Sequence, residues 1–338
     1  MADLLTTLLR REEPVDERRW RSFLDRLDAR RLRQGEAAAV LASLSTALPA
    51  DATLGALLSC LDERRDPAPP RLPGVVNIVG TGGGPPTFNV STAAALVAAA
   101  MGVRVVKTGS RAYTSRHGSF DLLDRLGVAR TGSHDETADH LARHGIAFAG
   151  EYVYPAAIGA LAREVAPLTL RTVGGVVNVL GPFLAAVPVT GQLTGVGRRA
   201  ALPTLRYLAN RVPGNRVWLC HNDLGADELV SCADNTVHIG NDTDFVVPGD
   251  QVGEPADLAP ADGDLVDRFL AVLAGQASPA AVRTVCLNAA ALAVLSGDFA
   301  DLAAARDHAE QTVRTGVATE LLARLRAARP SSLRPAHV

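Results

Sequence analysis

Lysine is almost missing from this chain. Lys107 is the only one in 338 residues, although 34 residues are basic. The bias towards Ala and Arg reads as codon usage and carries no inference about the surface. The formal net charge is −2. That excludes the basic excess of a general nucleic-acid or membrane-surface binder, while leaving room for a local patch that holds a small anion. Aromatic residues make up only 4%, so a core has to come from the Ala, Leu and Val that dominate the 47% apolar content. The four cysteines, Cys60, Cys220, Cys232 and Cys286, have no CxxC spacing. Neither a zinc site nor a redox pair is indicated, and buried reduced thiols are expected. No apolar run reaches about 18 residues without a charge or a breaker. The N-terminus is charged within ten residues and lacks a secretory pattern. A cytoplasmic protein is expected, with no membrane or nucleic-acid partner.

What is present has a clear order. Residues 3 to about 65 read as helices, with Trp20, Phe23, Leu24 and Leu27 at helical spacing. "DPAPPRLPG", from Asp66 to Gly74, is a proline-rich connector. After it the period changes. "VVNIVG" is a β-branched strand, "STAAALVAAAMG" a helix capped by Ser or Thr, "VRVVK" a second strand and "FDLLDRLG" a second helix. "RVWLC" is a later strand, and the chain is helical again from Asp264. Alternating strands and helices predict an α/β fold with a mainly parallel central sheet. A small all-helical domain is expected over 1–70, joined by part of 150–190. The α/β domain is expected over 71–330, with a frayed tail at 331–338.

Three loops follow strands and carry polar chemistry. "GTGGGPPTFNVST", Gly80 to Thr92, is a glycine loop that opens a helix. Backbone N–H groups and a helix N-terminus together suit a phosphate, with the Ser91 and Thr92 hydroxyls at hand. Read alone, the run fits a plain strand–helix turn equally well. It is neither a P-loop, since no GK[ST] follows, nor a GxGxxG dinucleotide loop. "KTGSRAYTSRHGS", Lys107 to Ser119, interleaves Lys107, Arg111 and Arg116 with Ser110, Thr114, Ser115 and Ser119. Such a loop suits a second phosphate or a diphosphate. "DLGADEL" supplies Asp227 and Glu228, hard oxygen ligands for magnesium when phosphate and water complete its shell. Adjacent strands of a parallel sheet bring such loops together.

These loops together make the chain similar to the anthranilate phosphoribosyltransferase family. "GTGGG…TFNVST" resembles the family's GTGGD and TFNxST. "KTGSRAYTSRHGSFD" resembles KHGNRxxSSxxGSxD. "NVLGP", "GQLTGV", "LGADEL" and "LNAAALAVLSG" match further signatures in order. The resemblance implies a dimer, a cleft between two domains, and transfer of 5-phosphoribosyl from phosphoribosyl pyrophosphate to a small aromatic amine. It implies a donor site formed by Gly80, Thr81, Gly82, Gly83, Thr87, Asn89, Ser91, Thr92, Lys107, Gly109, Arg111, Thr114, Ser115 and Ser119. Mg2+ is implied on Ser91, Asp227 and Glu228. Candidate acceptor contacts are Ser110, Tyr154, Arg163, Arg171 and Asn178.

The sequence departs from the family mainly on the acceptor side. Gly84 stands where the family has Asp, in a shorter loop with Pro85 and Pro86. Thr108 and Ser110 replace the His and Asn of KHGN, and Tyr154 replaces the His of a His-Pro. The family's carboxylate-binding Arg falls at Leu168, with Arg163 and Arg171 nearby. Each lost polar partner costs on the order of 1–3 kcal/mol. An aromatic or heteroaromatic acceptor other than anthranilate is therefore expected. An ordinary anthranilate enzyme is the alternative. A nucleoside phosphorylase-like enzyme, or a binding homologue without catalysis, also stays open. His117 and Tyr113 are further candidates for phosphate and acceptor, and His221 is expected to be structural.

Overall fold

The computed structural model describes residues 3–65, 69–111, 118–212, 214, 216–240, 243–250, 252–260 and 265–328. The expected tail at 331–338 lies outside them. Among the described residues seven strands form one sheet: β1 (Val75–Gly80), β2 (Arg104–Lys107), β3 (Ile146–Phe148), β4 (Gly191–Gly195), β5 (Arg216–Asn222), β6 (Asn235–Ile239) and β7 (Thr243–Val247). Their order across the sheet is β3-β2-β1-β4-β5-β6-β7. The five strands from β3 to β5 run parallel, and β6 and β7 are antiparallel. The mixed α/β class and the mainly parallel sheet agree with the sequence reading.

The shortage of aromatics is met by close packing of alanines. Every residue from Thr92 to Ala99 in the Val90–Ala100 helix is buried. It packs on the Pro279–Ser296 helix, which is also mostly buried and carries six alanines among its 18 residues. Two alanine faces approach closely and lose little side-chain entropy on burial. Pro279–Ser296 is also the one described helix long and apolar enough to cross a membrane, and here it is the core helix of the sheet domain. The Val90–Ala100 helix corrects one expectation. Its N-cap is Asn89, with φ 68° and ψ 45°, and no Ser or Thr side chain caps it. Asn tolerates this left-handed conformation better than other side chains.

The helices before β1 share one apolar cluster with those of 156–184. Trp20, Phe23, Leu24 and Leu27 pack with Leu41, Leu57, Leu161, Val176 and Leu180. Trp20 Nε1 donates to the Thr53 carbonyl at 3.0 Å, so its polar end is satisfied as its ring is buried. The helices of His134–His144 and Leu202–Asn210, with strands β3 and β6, were not legible in the sequence.

The sheet reverses direction of growth at β1. From there β2 and β3 extend one way, and β4 to β7 the other. In open parallel sheets ligands collect outside the carboxyl ends of the two strands flanking such a reversal. Here those ends are Gly80 and Gly195, paired directly across the sheet.

Candidate functional site: a carboxylate pair under a glycine loop

The loop after β1 and the loop after β5 are built into each other. A Cβ on Gly80 would come 2.0 Å from Asp227 Oδ2. One on Gly195 would come 1.6 Å from the Asp227 carbonyl oxygen. Two glycines on neighbouring strand ends thus make the space in which Asp227 sits. The Gly82 N–H donates to Asp227 Oδ2 at 2.7 Å, and the Thr87 hydroxyl donates to Glu228 Oε1 at 2.8 Å. Gly84 is also tightly placed, since a Cβ there would come 2.1 Å from the Gly225 carbonyl. The acidic residue expected from the family has no room at 84 on this backbone.

Burial sets the electrostatics. Glu228 is 8% exposed, and its Oε2 is buried without a partner among the described residues. Burial first, and then the Asp227 charge, push Glu228 up to about 8. Burial raises Asp227 too, against the pull of the Gly82 N–H. Lys107, only 3% exposed, donates from Nζ to the carbonyls of Ile78 at 3.1 Å and Thr108 at 3.2 Å. Burial lowers it to about 8, although Glu228 and Asp227 pull it up. The chain's one lysine is therefore a buried charge held on one strand carbonyl and one loop carbonyl beside two carboxylates.

The other predicted residues divide. Ser91 is half-buried in the first turn of the Val90–Ala100 helix, and Thr92 beside it is fully buried, its hydroxyl without a partner among the described residues. Gly109 packs on Ser119, closing the two ends of the second loop together. Thr81 lies under the glycine loop, where its hydroxyl accepts from Gly197 N at 3.1 Å. Gly83, with φ 82°, is exposed at its rim. Arg111 is turned towards carboxylates, near Asp121 at 3.3 Å, Asp124 at 3.4 Å and Glu151 at 3.9 Å. Tyr113, Thr114, Ser115, Arg116 and His117 lie outside the described residues.

On the acceptor side, the Tyr154 hydroxyl donates to the Gly109 carbonyl at 2.9 Å. Ser110 and Asn178 are half-buried, and Arg163 and Arg171 are exposed. His221 is enclosed as expected, with its Nδ1 3.1 Å from His238 Nε2.

Two features were missed by sequence reasoning. The first is a buried polar row across the sheet. Asn77, 0% exposed, donates to Thr108 Oγ1 and to Gln192 Oε1, both at 3.0 Å, and accepts from Thr108 N at 3.1 Å. Gln192 Nε2 continues to the Pro182 carbonyl at 3.0 Å and Thr194 Oγ1 at 3.1 Å. Thr108, at the family's His position, is thus consumed by the scaffold. Its signal was a lone Asn in an otherwise apolar strand. The second is Arg198, which follows β4 and lies along Gly83. A basic pair three residues beyond a strand end was its signal. Among the described residues no group of three His, Cys, Asp or Glu side chains forms a metal cluster. The Asp227–Glu228 pair would need further oxygens from Ser91, substrate or water.

Residues 72–319 match the family described as glycosyl transferase family, a/b domain. An anthranilate phosphoribosyltransferase of Myxococcus xanthus is 38% identical over 278 residues, covering 76% of this chain and 78% of that one. That of Methylorubrum extorquens is 33% identical over 324 residues, covering 92% and 94%. The crystal structure of the Thermus thermophilus anthranilate phosphoribosyltransferase superposes with a TM-score of 0.78 at 28% identity, covering 96% of this chain and 99% of that one. The Saccharomyces cerevisiae enzyme, in complex with PRPP and Mg, shares the fold with a TM-score of 0.77 at 24% identity, covering 94% and 93%. These matches, over the sheet and the loops at its carboxyl edge, place the chain among pentosyl-transferring enzymes of the anthranilate phosphoribosyltransferase family.

Proposed function

We propose that this chain transfers 5-phosphoribosyl from phosphoribosyl pyrophosphate to an aromatic or heteroaromatic acceptor other than anthranilate, releasing pyrophosphate. The observation that carries the acceptor half is Thr108. The family's His position is occupied by a side chain locked into a buried row with Asn77 and Gln192. It offers nothing to an acceptor. Leu168, at the place of the family's carboxylate-binding Arg, is an apolar side chain 45% exposed. The donor half keeps its carboxylate pair and its glycine loop.

The bond from ribose C1 to the diphosphate oxygen breaks, the acceptor nitrogen bonds to C1, and one N–H proton of that nitrogen passes to water or to the released pyrophosphate. An amine nitrogen is already nucleophilic, so no strong base is required. The barrier lies in the charge that builds on the departing diphosphate. Asp227 and Glu228 fit a magnesium ion, since Glu228 Oε2 is buried and unpartnered and both carboxylates are short of positive charge. Bound magnesium supplies neutralising charge to the leaving diphosphate. Gly82 N–H and Thr87 hold the two carboxylates in place, Lys107 offsets part of their charge, and the glycine loop lets phosphate oxygens approach the backbone.

The same reading includes a helical domain of 1–70 with part of 150–190, a cleft between it and the α/β domain, and a homodimer with twice the chain's mass by light scattering. A cytoplasmic setting agrees with the free thiols of Cys60, Cys220, Cys232 and Cys286. An ordinary anthranilate enzyme is the second reading, favoured by the 38% identity to the Myxococcus xanthus relative. Turnover of anthranilate with phosphoribosyl pyrophosphate and magnesium decides between them. The expected result is pyrophosphate release at least about 100-fold below that with the true acceptor, the combined effect of two or more lost contacts. Efficient anthranilate turnover would sink the specialised reading.

A further inference from the structure

We propose that Arg198 is a fixed cation for the diphosphate of the donor, a contact that rests on the donor reading above. Arg198 stands at the carboxyl end of β4, beside the glycine loop after β1. These are the two strands that flank the reversal of the sheet. Its backbone is pinned there. Thr81 N donates to the Gly195 carbonyl at 2.9 Å, and Gly197 N donates to the Thr81 hydroxyl at 3.1 Å. At Gly197 a Cβ would meet the Gly82 carbonyl at 2.7 Å and Gly84 N at 2.8 Å. The two loops therefore touch backbone to backbone, and the next residue has little freedom in where it starts.

The side chain then runs along Gly83. A Cβ at Gly83 would lie 3.0 Å from Arg198 Nε, 3.6 Å from its Cγ and 3.7 Å from its Cδ. The guanidinium thus starts from the exposed rim of the glycine loop. Among the described residues it has no hydrogen-bond or ion-pair partner. The contrast with Arg199 is direct, since Arg199 reaches Asp223 at 3.6 Å. Lys107 is buried on carbonyls and Arg111 faces three carboxylates, so neither is a free cation for a ligand. A donor that carries a diphosphate brings several negative charges to a site already holding Asp227 and Glu228. Among the described residues Arg198 is the free fork on that edge, and a guanidinium binds a diphosphate through two parallel N–H donors. It sits where the reshaped loop, with Gly84, has lost the family's carboxylate.

The test is titration of magnesium pyrophosphate, and separately of phosphoribosyl pyrophosphate, into the full chain as wild type, Arg198→Ala, Arg198→Lys and Arg199→Ala. Arg198→Ala is expected to weaken both ligands about 10-fold, with Arg198→Lys recovering part of the loss and Arg199→Ala binding as wild type. Steady-state kinetics with anthranilate as the acceptor are expected to show a raised donor KM and an anthranilate KM within about twofold of wild type. Unchanged pyrophosphate affinity in Arg198→Ala, at an unchanged melting temperature, overturns the assignment. A raised acceptor KM with normal donor binding also overturns it, by moving Arg198 to the other half of the cleft. If the wild type binds neither ligand, the donor reading itself falls and takes this assignment with it.

Discussion

At the residue scale, the site depends on side chains that are absent. Asp227 occupies space that Gly80 and Gly195 leave empty, and no other residue type fits either position on this backbone. Gly195→Ala would place a methyl 1.6 Å from the Asp227 carbonyl, so either the end of β4 or the Asp227 loop must move. A displacement near 1 Å in a positioning group costs about 100-fold in rate. Gly195→Ala is expected to lose about that factor in kcat/KM for the donor. Wild-type turnover by this variant would show that Asp227 does not need its present place. The glycine loop was legible as a candidate phosphate site from its composition. Which glycine serves the ligand and which serves a carboxylate was not, because Asp227 is distant in sequence from both. The same limit hid the fate of Lys107 and Arg111. Type and spacing marked them as cations, but only the fold shows one buried on carbonyls and the other facing acids.

At the element scale, strands carry the site and a polar row ties the strands together. Thr108, just past the end of β2, Asn77 on β1 and Gln192 on β4 lie side by side, all buried. The row joins the start of the second loop to the Pro182 carbonyl of the Gly175–Leu184 helix. A buried polar network of this kind is stabilising only while each member is satisfied. Asn77→Leu keeps the branching of the side chain, replaces its amide oxygen and nitrogen with two bulkier methyl groups, and orphans Thr108 N and Gln192 Oε1. A loss on the order of 2–3 kcal/mol in unfolding free energy is expected by denaturant titration. A loss below about 0.5 kcal/mol would mean that the row is not a structural tie. The sequence marked β1 and β2 through their β-branched runs and β5 through the apolar run of Val217 to Cys220. It did not mark β3, only Ile146–Phe148, or β6 with its polar Asn235 and His238. Short and polar strands take their conformation from their neighbours, and a single-chain pattern carries little of that.

At the scale of the whole molecule, buried titratable groups pull stability in opposite directions with pH. His221 is packed against His238 and faces Arg199, Asp223 and Asp244. Burial, with His238 and Arg199 next, holds it below its ordinary value of 6.5, and the two aspartates only partly offset this. A histidine held down in the fold takes up its proton more readily when unfolded. Its contribution to stability is complete above 6.5 and is lost as pH falls below that value. His140 and His144 are held down in the same way, with burial as the leading cause. Glu228 has the reverse sign. Its value is raised from 4.5 to about 8, so its contribution is present below 4.5 and lost as pH rises through 8. Asp227 acts in that sense too. The net slope near neutral pH therefore mixes both, and a single melting curve against pH does not isolate either. The difference between wild type and His221→Gln does. The stability gap between them is expected to narrow as pH falls from 7.5 to 5.5, at no more than about 1.4 kcal/mol per pH unit for one group. Denaturant unfolding of both proteins at each pH measures it. A gap that stays constant across this range would show that His221 titrates alike in the folded and unfolded chain, and that its enclosure by His238 and Arg199 has no energetic consequence.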